Sequence, residues 1–293
     1  MGDNNLSKFF ENYLTSETIF TNKKSLQHNY TPENIPHRDE QIEQLATILA
    51  PALRMEKPSN LFIYGKTGTG KTCVTQHVMQ QILNIVEKKK LNVKYYYLNC
   101  KLKKVADTEY RLIAQLARAF GKDVPATGLP TEEVYKLFIQ SINTENQLVI
   151  LVLDEIDQLV NKAGDGILYN LTRLNSELTK CQLSIIGISN DLMFTDNLDP
   201  RIKSSLSEEE LVFPPYNAIQ LQDILKQRSN LAFKDKSIEE GVIEKCAAYA
   251  AREHGDARRA LELLRVAGEL AERKNDLKIR LTHLDEAEEK IEK

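Results

Sequence analysis

The stretch that decides the fold is LFIYGKTGTGKTCVTQHVMQQILNIVEKK, residues 61–89. Leu61–Tyr64 reads as a short buried strand, and beyond Lys71 the apolar residues recur at helical spacing. A strand running in and a helix running out is the setting that the G-x-x-x-x-G-K-[ST] pattern requires, and GKTGTGKT (65–72) fits that pattern throughout. Gly65, Gly68 and Gly70 let the backbone curl so that successive N–H groups point into one concavity. The backbone from Thr67 through Gly68, Thr69, Gly70, Lys71 and Thr72 to Cys73 is therefore expected to cradle the phosphates of ATP or ADP, helped by the positive end of the helix dipole. Lys71 is expected to reach the β- and γ-phosphates, and the Thr72 hydroxyl to ligate Mg2+.

A phosphate loop of this kind needs an acid at the tip of a neighbouring strand. LVILVLDEID (148–157) supplies one: a continuous apolar run ends in Asp154–Glu155. A carboxylate closing such a strand needs a partner, so Asp154 is assigned with Thr72 to the metal. Glu155, one residue on, is placed to act as general base on an attacking water. Asp157 reads as the cap of the helix that follows. Adjacent acid and base favour hydrolysis by water over transfer to an acceptor, so the activity expected is that of an ATPase. LSIIGISN (183–190) is another apolar strand, and the amide of Asn190 at its end could meet the γ-phosphate or the lytic water.

Strands are expected at 61–64, 93–99, 148–154, 183–189 and 210–213, alternating with helices at 71–88, 107–120, 131–142 and 166–178. This alternation means an α/β layer fold with a five-stranded parallel sheet. Pro36–Leu53 reads as a helix opened by proline, ahead of the first strand. After Pro214–Pro215 four helical patterns follow (217–233, 237–254, 256–274 and 282–292), with Ser237, Asp256 and Thr282 as cap candidates. The domains expected are thus 1–215, an α/β nucleotide-binding unit with its lead-in segment at about 15–40, and 216–293, a small helical unit.

Composition excludes several classes. At 42% hydrophobic and 28% charged the chain is ordinary and globular, and no apolar run is long enough for a membrane span. The start lacks the pattern of a secretory signal. Four scattered cysteines point to reduced thiols rather than a disulfide frame or a zinc site. The net charge of −3 does not advertise nucleic acid, but between Lys88 and Lys104 lie seven lysines and no acid.

Taken together, GKTGTGKT, LVLDEID, GISN, LDPRIKSSL and GDARRALELLR stand in the order of an AAA+ ATPase, and the set resembles the archaeal replication initiators related to the eukaryotic origin-recognition and Cdc-type loading proteins. NYTPENIPHRDEQIEQL and FPPYNAIQLQDILKQR add to the resemblance, which covers roughly residues 15–290. It implies that Asn190 is the first sensor of the γ-phosphate and Arg258, in GDAR, the second, carried by a helical lid. It implies that Arg201 acts near the site or in trans on a neighbour. Tyr216 and Arg228 match lid residues flanking the nucleotide, and Ile35, His37 and Arg38 fall in the segment walling the adenine. Arg259 reads as a surface residue or a phosphate contact.

The resemblance further implies a slow ATP/ADP switch that recognises double-stranded origin DNA, with other initiator protomers and the replicative helicase as partners and a cytoplasmic, chromosome-associated location. Family members carry a DNA-contacting helical insertion after the second strand, here about 101–128, which turns Lys101, Lys103 and Lys104 toward duplex phosphates. That contact is expected to be independent of nucleotide, the phosphate loop lying at another edge of the sheet. The family continues into a winged-helix domain where this sequence stops, so tight sequence-specific DNA binding by these residues is not expected. The alternatives are another DNA-linked AAA+ ATPase of clamp-loader or transposition type, and a phosphate-loop assembly scaffold that never hydrolyses.

Overall fold

A computed structural model of the chain describes residues 17–27, 30–101, 108–125 and 127–292. They fall into two compact units, one formed by His37–Pro214 and the other joining the described part of Met1–Pro36 to Pro215–Lys293. The first unit is a parallel sheet of β1 (Leu61–Tyr64), β2 (Val93–Asn99), β3 (Gln147–Asp154), β4 (Cys181–Ser189) and β5 (Glu209–Val212). The order is β2-β3-β4-β1-β5, and every pairing is parallel. The most apolar strands take the inner places. β3 is buried along its whole length, while the short edge strand β5 buries mainly Leu211.

The connections are helical: α1 (Asp39–Leu49) before β1, then α2 (Lys71–Lys89), α3 (Glu109–Ala119), α4 (Thr131–Ile142), α5 (Ile156–Ala163), α6 (Gly166–Arg173) and α7 (Pro200–Leu206). Leu112, Leu116 and Phe138 from α3 and α4 share one apolar core with Val149, Leu151 and Leu153 of β3. Two helices differ from the sequence reading. α1 does not open at Pro36, because His37 takes a left-handed φ of 61° and breaks the helical path before Asp39. The segment read as one helix over 166–178 stops at Arg173 and tightens into a 3-10 turn over Leu174–Ser176.

The second unit holds α8 (Ala218–Ala232), α9 (Val242–Arg252), α10 (Ala257–Arg273) and α11 (Leu281–Glu292). Asn217 and Gln220 form a reciprocal capping box on α8, and Asp256 caps α10 by accepting from the Arg258 and Arg259 N–H groups. Ser237 does not cap: its hydroxyl donates to Lys234 O, and α9 begins only after Gly241, at φ 87°. Thr282 lies inside α11, one residue past its start.

The lead-in segment belongs here, and not with the sheet as its position in sequence suggested. Thr21 N donates to Ala232 O at 2.8 Å, Lys234 N donates to Ile19 O at 2.9 Å, and the Phe20 and Phe233 rings meet with centroids 4.7 Å apart. Gly268 permits this, since a Cβ there would come within 2.7 Å of the Phe20 ring. Among the described residues no helix is long and apolar enough to cross a membrane. All four cysteines are free thiols.

Candidate nucleotide site

The loop after β1 bends as its glycines allow. Gly68 and Gly70 have φ of 72° and 94°, and a Cβ on Gly65 would lie 2.4 Å from Phe213 O. Lys71 is buried at 5% exposure, and its Nζ donates to Gly65 O at 2.7 Å and Lys66 O at 2.8 Å. The ammonium thus lies back along the inside of its own loop. Thr69 Oγ1 tightens the same turn by donating to Lys66 O at 2.8 Å. Cys73 is half-buried on the first turn of α2.

The strand ends complete the site. In the register of the sheet, Asn99 of β2 pairs with Asp154, Asp154 with Ile188 of β4, and Ser189 with Tyr64 at the mouth of the loop. Carboxyl ends of parallel strands are where α/β folds place their ligands. Asp154 is 4% exposed; its Oδ2 accepts from Thr72 Oγ1 at 2.8 Å and from the Tyr97 hydroxyl at 2.6 Å, and its Oδ1 accepts from Glu155 N–H at 2.9 Å. A threonine hydroxyl meeting a buried carboxylate is a set of hard oxygen donors, so the residues present fit Mg2+. Burial and the neighbouring Asp154 push the Tyr97 phenol far above its usual range and that of Tyr95 up to about 12, so both are neutral hydroxyls here.

Glu155 takes a left-handed conformation (φ 55°, ψ 46°), uncommon for a side chain of this size. It heads α5 as N-cap, a place the sequence reading had given to Asp157. Asp157 is instead buried and accepts from Ser189 Oγ at 3.0 Å, tying α5 to the end of β4. Glu155 has polar neighbours from β2: Asn99 Nδ2 at 3.5 Å and Lys101 Nζ at 3.6 Å.

That last contact corrects the reading of the lysine run. β2 spans seven residues, about 23 Å at ~3.3 Å per residue. Lys88, Lys89, Lys90 and Lys94 cluster near its start, and Lys101 stands past its far end beside Glu155. The run is therefore two groups, and Lys101 borders Glu155 and not a remote edge. Lys103 and Lys104 lie outside the described residues. Within the stretch 101–128, α3 turns Leu112, Ile113 and Leu116 into the core.

The remaining singled-out residues are placed as follows. Asn190 directly follows β4 and is half-buried. Arg201 is exposed and grips Asp199 with Nε at 3.0 Å and Nη2 at 2.9 Å, holding the Asp199 carboxyl down at about 2. Arg38 is buried and acts as a strut: its Nε donates to Thr69 O at 2.9 Å and its Nη2 to Pro214 O at 2.6 Å. His37 adjoins it, its carbonyl accepting from Arg38 Nη1 at 3.4 Å.

In the helical unit Ile35 and Tyr216 are buried, and Arg228 is buried with its guanidinium 4.4 Å over the Tyr30 ring. Arg258 is exposed on the first turn of α10. Arg259 is not the surface residue expected; it is largely buried between Glu253 at 3.0 Å and Glu288 at 3.4 Å. A groove of about 370 Å3 in this unit, lined by Phe233, Lys234, Ser237 and Glu240 among others, contains none of the residues singled out by sequence apart from the failed cap Ser237.

The sequence reading missed Tyr97, Asn99 and the strut role of Arg38. Asn99 could have been found from strand alternation, because β2 lies next to β3 in many phosphate-loop sheets, but no local signal marks Arg38 as a tie.

Fold and site together define an AAA+ ATPase. Residues 54–192 match the AAA domain family, and residues 222–289 match the Cdc6 AAA+ ATPase-type lid domain. The chain is 54% identical over 296 residues to an ORC1-type DNA replication protein of Thermococcus onnurineus, covering 100% of this chain and 71% of that one. It is 55% identical over 283 residues to ORC1-type DNA replication protein 1 of Archaeoglobus fulgidus, covering 97% and 68%. A solved structure of the Aeropyrum pernix ORC1 protein in complex with DNA superimposes with a TM-score of 0.86 at 46% identity, over 94% of this chain and 70% of that one. The chain belongs to the ORC1-type DNA replication protein family.

Proposed function

We propose that the chain is the nucleotide-responsive part of a replication initiator, binding ATP, hydrolysing it slowly, and engaging double-stranded origin DNA in a manner set by the nucleotide state. The observation that carries this reading is the meeting of Thr72 and Asp154 at 2.8 Å, with Lys71 one residue before the first and Glu155 one residue after the second. Thr72 and Asp154 would hold Mg2+, which when bound supplies charge neutralisation at the β- and γ-phosphate oxygens. Lys71 leaves its loop carbonyls to donate to the same phosphates. Glu155 takes a proton from the attacking water as the oxygen bonds to the γ-phosphorus and the bond to the ADP oxygen breaks.

Asn190 and Arg258 read the γ-phosphate, the second from the helical unit. Ile35, His37, Arg38, Tyr216 and Arg228 line the path of the base, with Arg38 doing so through the loop it braces. The Aeropyrum pernix protein solved with DNA, at 46% identity, supports duplex DNA as the partner. Other initiator protomers, met by Arg201, and the replicative helicase complete the assembly in this reading.

The test is Glu155→Gln. Nucleotide affinity should stay within twofold while phosphate release falls by ~10²-fold or more, because a neutral amide is no base. Undiminished phosphate release in this variant would overturn the assignment.

A further inference from the structure

Asp154 is held by one group more than the nucleotide site accounts for. Thr72 belongs to the phosphate loop and the Glu155 amide to the same strand end, but the third donor comes from β2. The Tyr97 hydroxyl donates to Asp154 Oδ2 at 2.6 Å, the same oxygen that Thr72 Oγ1 reaches at 2.8 Å. A phenol bonded to a carboxylate at that length is in the short, charge-assisted class, roughly twice as strong as a neutral bond.

The side chains of β2 alternate, which separates this contact from ordinary packing. Tyr96 points the other way, its ring 6.3 Å from that of Phe120 and its hydroxyl accepting from Gln115. Tyr95 shares the strand face of Tyr97, yet its buried hydroxyl has no hydrogen-bond partner among the described residues. Burial of a phenol on this face therefore does not by itself bring it a partner. An aspartate carboxylate turns freely about its last bond, and one hydroxyl on one oxygen leaves that rotation open. Two donors converging on Oδ2, with the amide on Oδ1, fix its plane.

We infer that Tyr97 is a positioning residue for the metal site, fixing the Asp154 carboxylate in the orientation it shares with Thr72 before the cation arrives. The inference rests on the reading of Thr72 and Asp154 as the Mg2+ ligands. Outer partners of metal ligands commonly alter affinity by about 10- to 100-fold when removed.

The experiment measures Mn2+ binding to the ADP-loaded chain by electron paramagnetic resonance, alongside ADP affinity in EDTA. It uses the wild type, Tyr97→Phe, Tyr95→Phe, Asp154→Asn and the double variant Tyr97→Phe/Asp154→Asn. Tyr97→Phe should weaken Mn2+ about tenfold and leave metal-free ADP affinity within twofold. Tyr95→Phe should match the wild type in both. In the Asp154→Asn background, where the cation site is already lost, removing the Tyr97 hydroxyl should have no further effect.

Wild-type Mn2+ affinity in Tyr97→Phe, with Asp154→Asn defective, would overturn the inference and leave the site reading standing. Parallel loss of Mn2+ and metal-free ADP affinity in Tyr97→Phe, or an equal defect in Tyr95→Phe, would also overturn it, since the phenol would then be supporting the strand and not the ligand. Undiminished Mn2+ binding in Asp154→Asn would overturn the inference together with the reading beneath it.

Discussion

The two units place their arginines and acids in opposite ways. In the sheet unit the groups with chemistry to do are buried and braced: Lys71 lies on its own loop carbonyls, Asp154 accepts from three donors, and Arg38 ties two backbone carbonyls together. In the helical unit the inward arginines are held by side chains of their own unit. Arg228 covers Tyr30 and Arg259 sits between Glu253 and Glu288, while Arg258 beside it is exposed. The sheet unit is thus a preassembled site, whereas the helical unit presents Arg258 exposed on a capped helix end. A braced group should act in every nucleotide state; an exposed cation is suited to distinguishing one state from another.

That contrast can be broken at several points. Lys71→Ala should abolish nucleotide binding, with a loss of at least ~100-fold in calorimetric ADP affinity, because the loop has lost its only buried ammonium. An affinity within twofold of wild type would end the preassembled reading. Gly255→Ala tests the helical unit, whose turn before Arg258 requires glycine: φ is +69° and a Cβ would meet Tyr216 O at 2.2 Å. A cost of about 3 kcal/mol in urea unfolding is expected, from a strained φ and a clash with backbone.

Arg258→Ala should leave ADP affinity within twofold and reduce the preference for ATP analogues about fivefold, near the low end of typical coupling energies. Equal losses for both nucleotides would mean that the exposed arginine reads the α- or β-phosphate. The smallest effect concerns Arg201. Its grip holds the Asp199 carboxyl at about 2, below the ordinary 3.8, so the pair persists above pH 4 and is lost as pH falls through 2. NMR titration of Asp199 in Arg201→Ala should move the midpoint up toward the ordinary value without reaching it, since the residue-201 backbone N–H still donates to Asp199, with little change in thermal stability at neutral pH because the pair is solvent-exposed.

How much of this was legible beforehand follows from how local each signal is. The phosphate loop and the apolar run into Asp154–Glu155 are written in consecutive residues, and so is the cap at Asp256 in the turn it closes. Ser237 was misread because a serine before a helical pattern resembles a cap, whereas the deciding residue is Gly241 with its left-handed φ. The division of the lysine run was not legible, because neighbours in sequence are not neighbours in space when a strand lies between them. The strut made by Arg38 could not be read, since its partner carbonyls lie 31 and 176 residues away. Tyr97 gains its role only through the pairing of β2 with β3, a property of the sheet and of no single segment.

The backbone on either side of Pro214–Pro215 is tied down within its own unit. On one side Phe213 N–H bonds Tyr64 O, and Pro214 O is held by Arg38, which also grips the phosphate loop. On the other, Tyr216 N–H reaches Gly255 O at 3.3 Å, in the turn that leads to Arg258. Pro214 and Pro215 each lock their own φ. Each unit therefore secures its own side of this dipeptide with backbone hydrogen bonds, the sheet unit through the residue that braces the phosphate loop and the helical unit through the turn that carries Arg258.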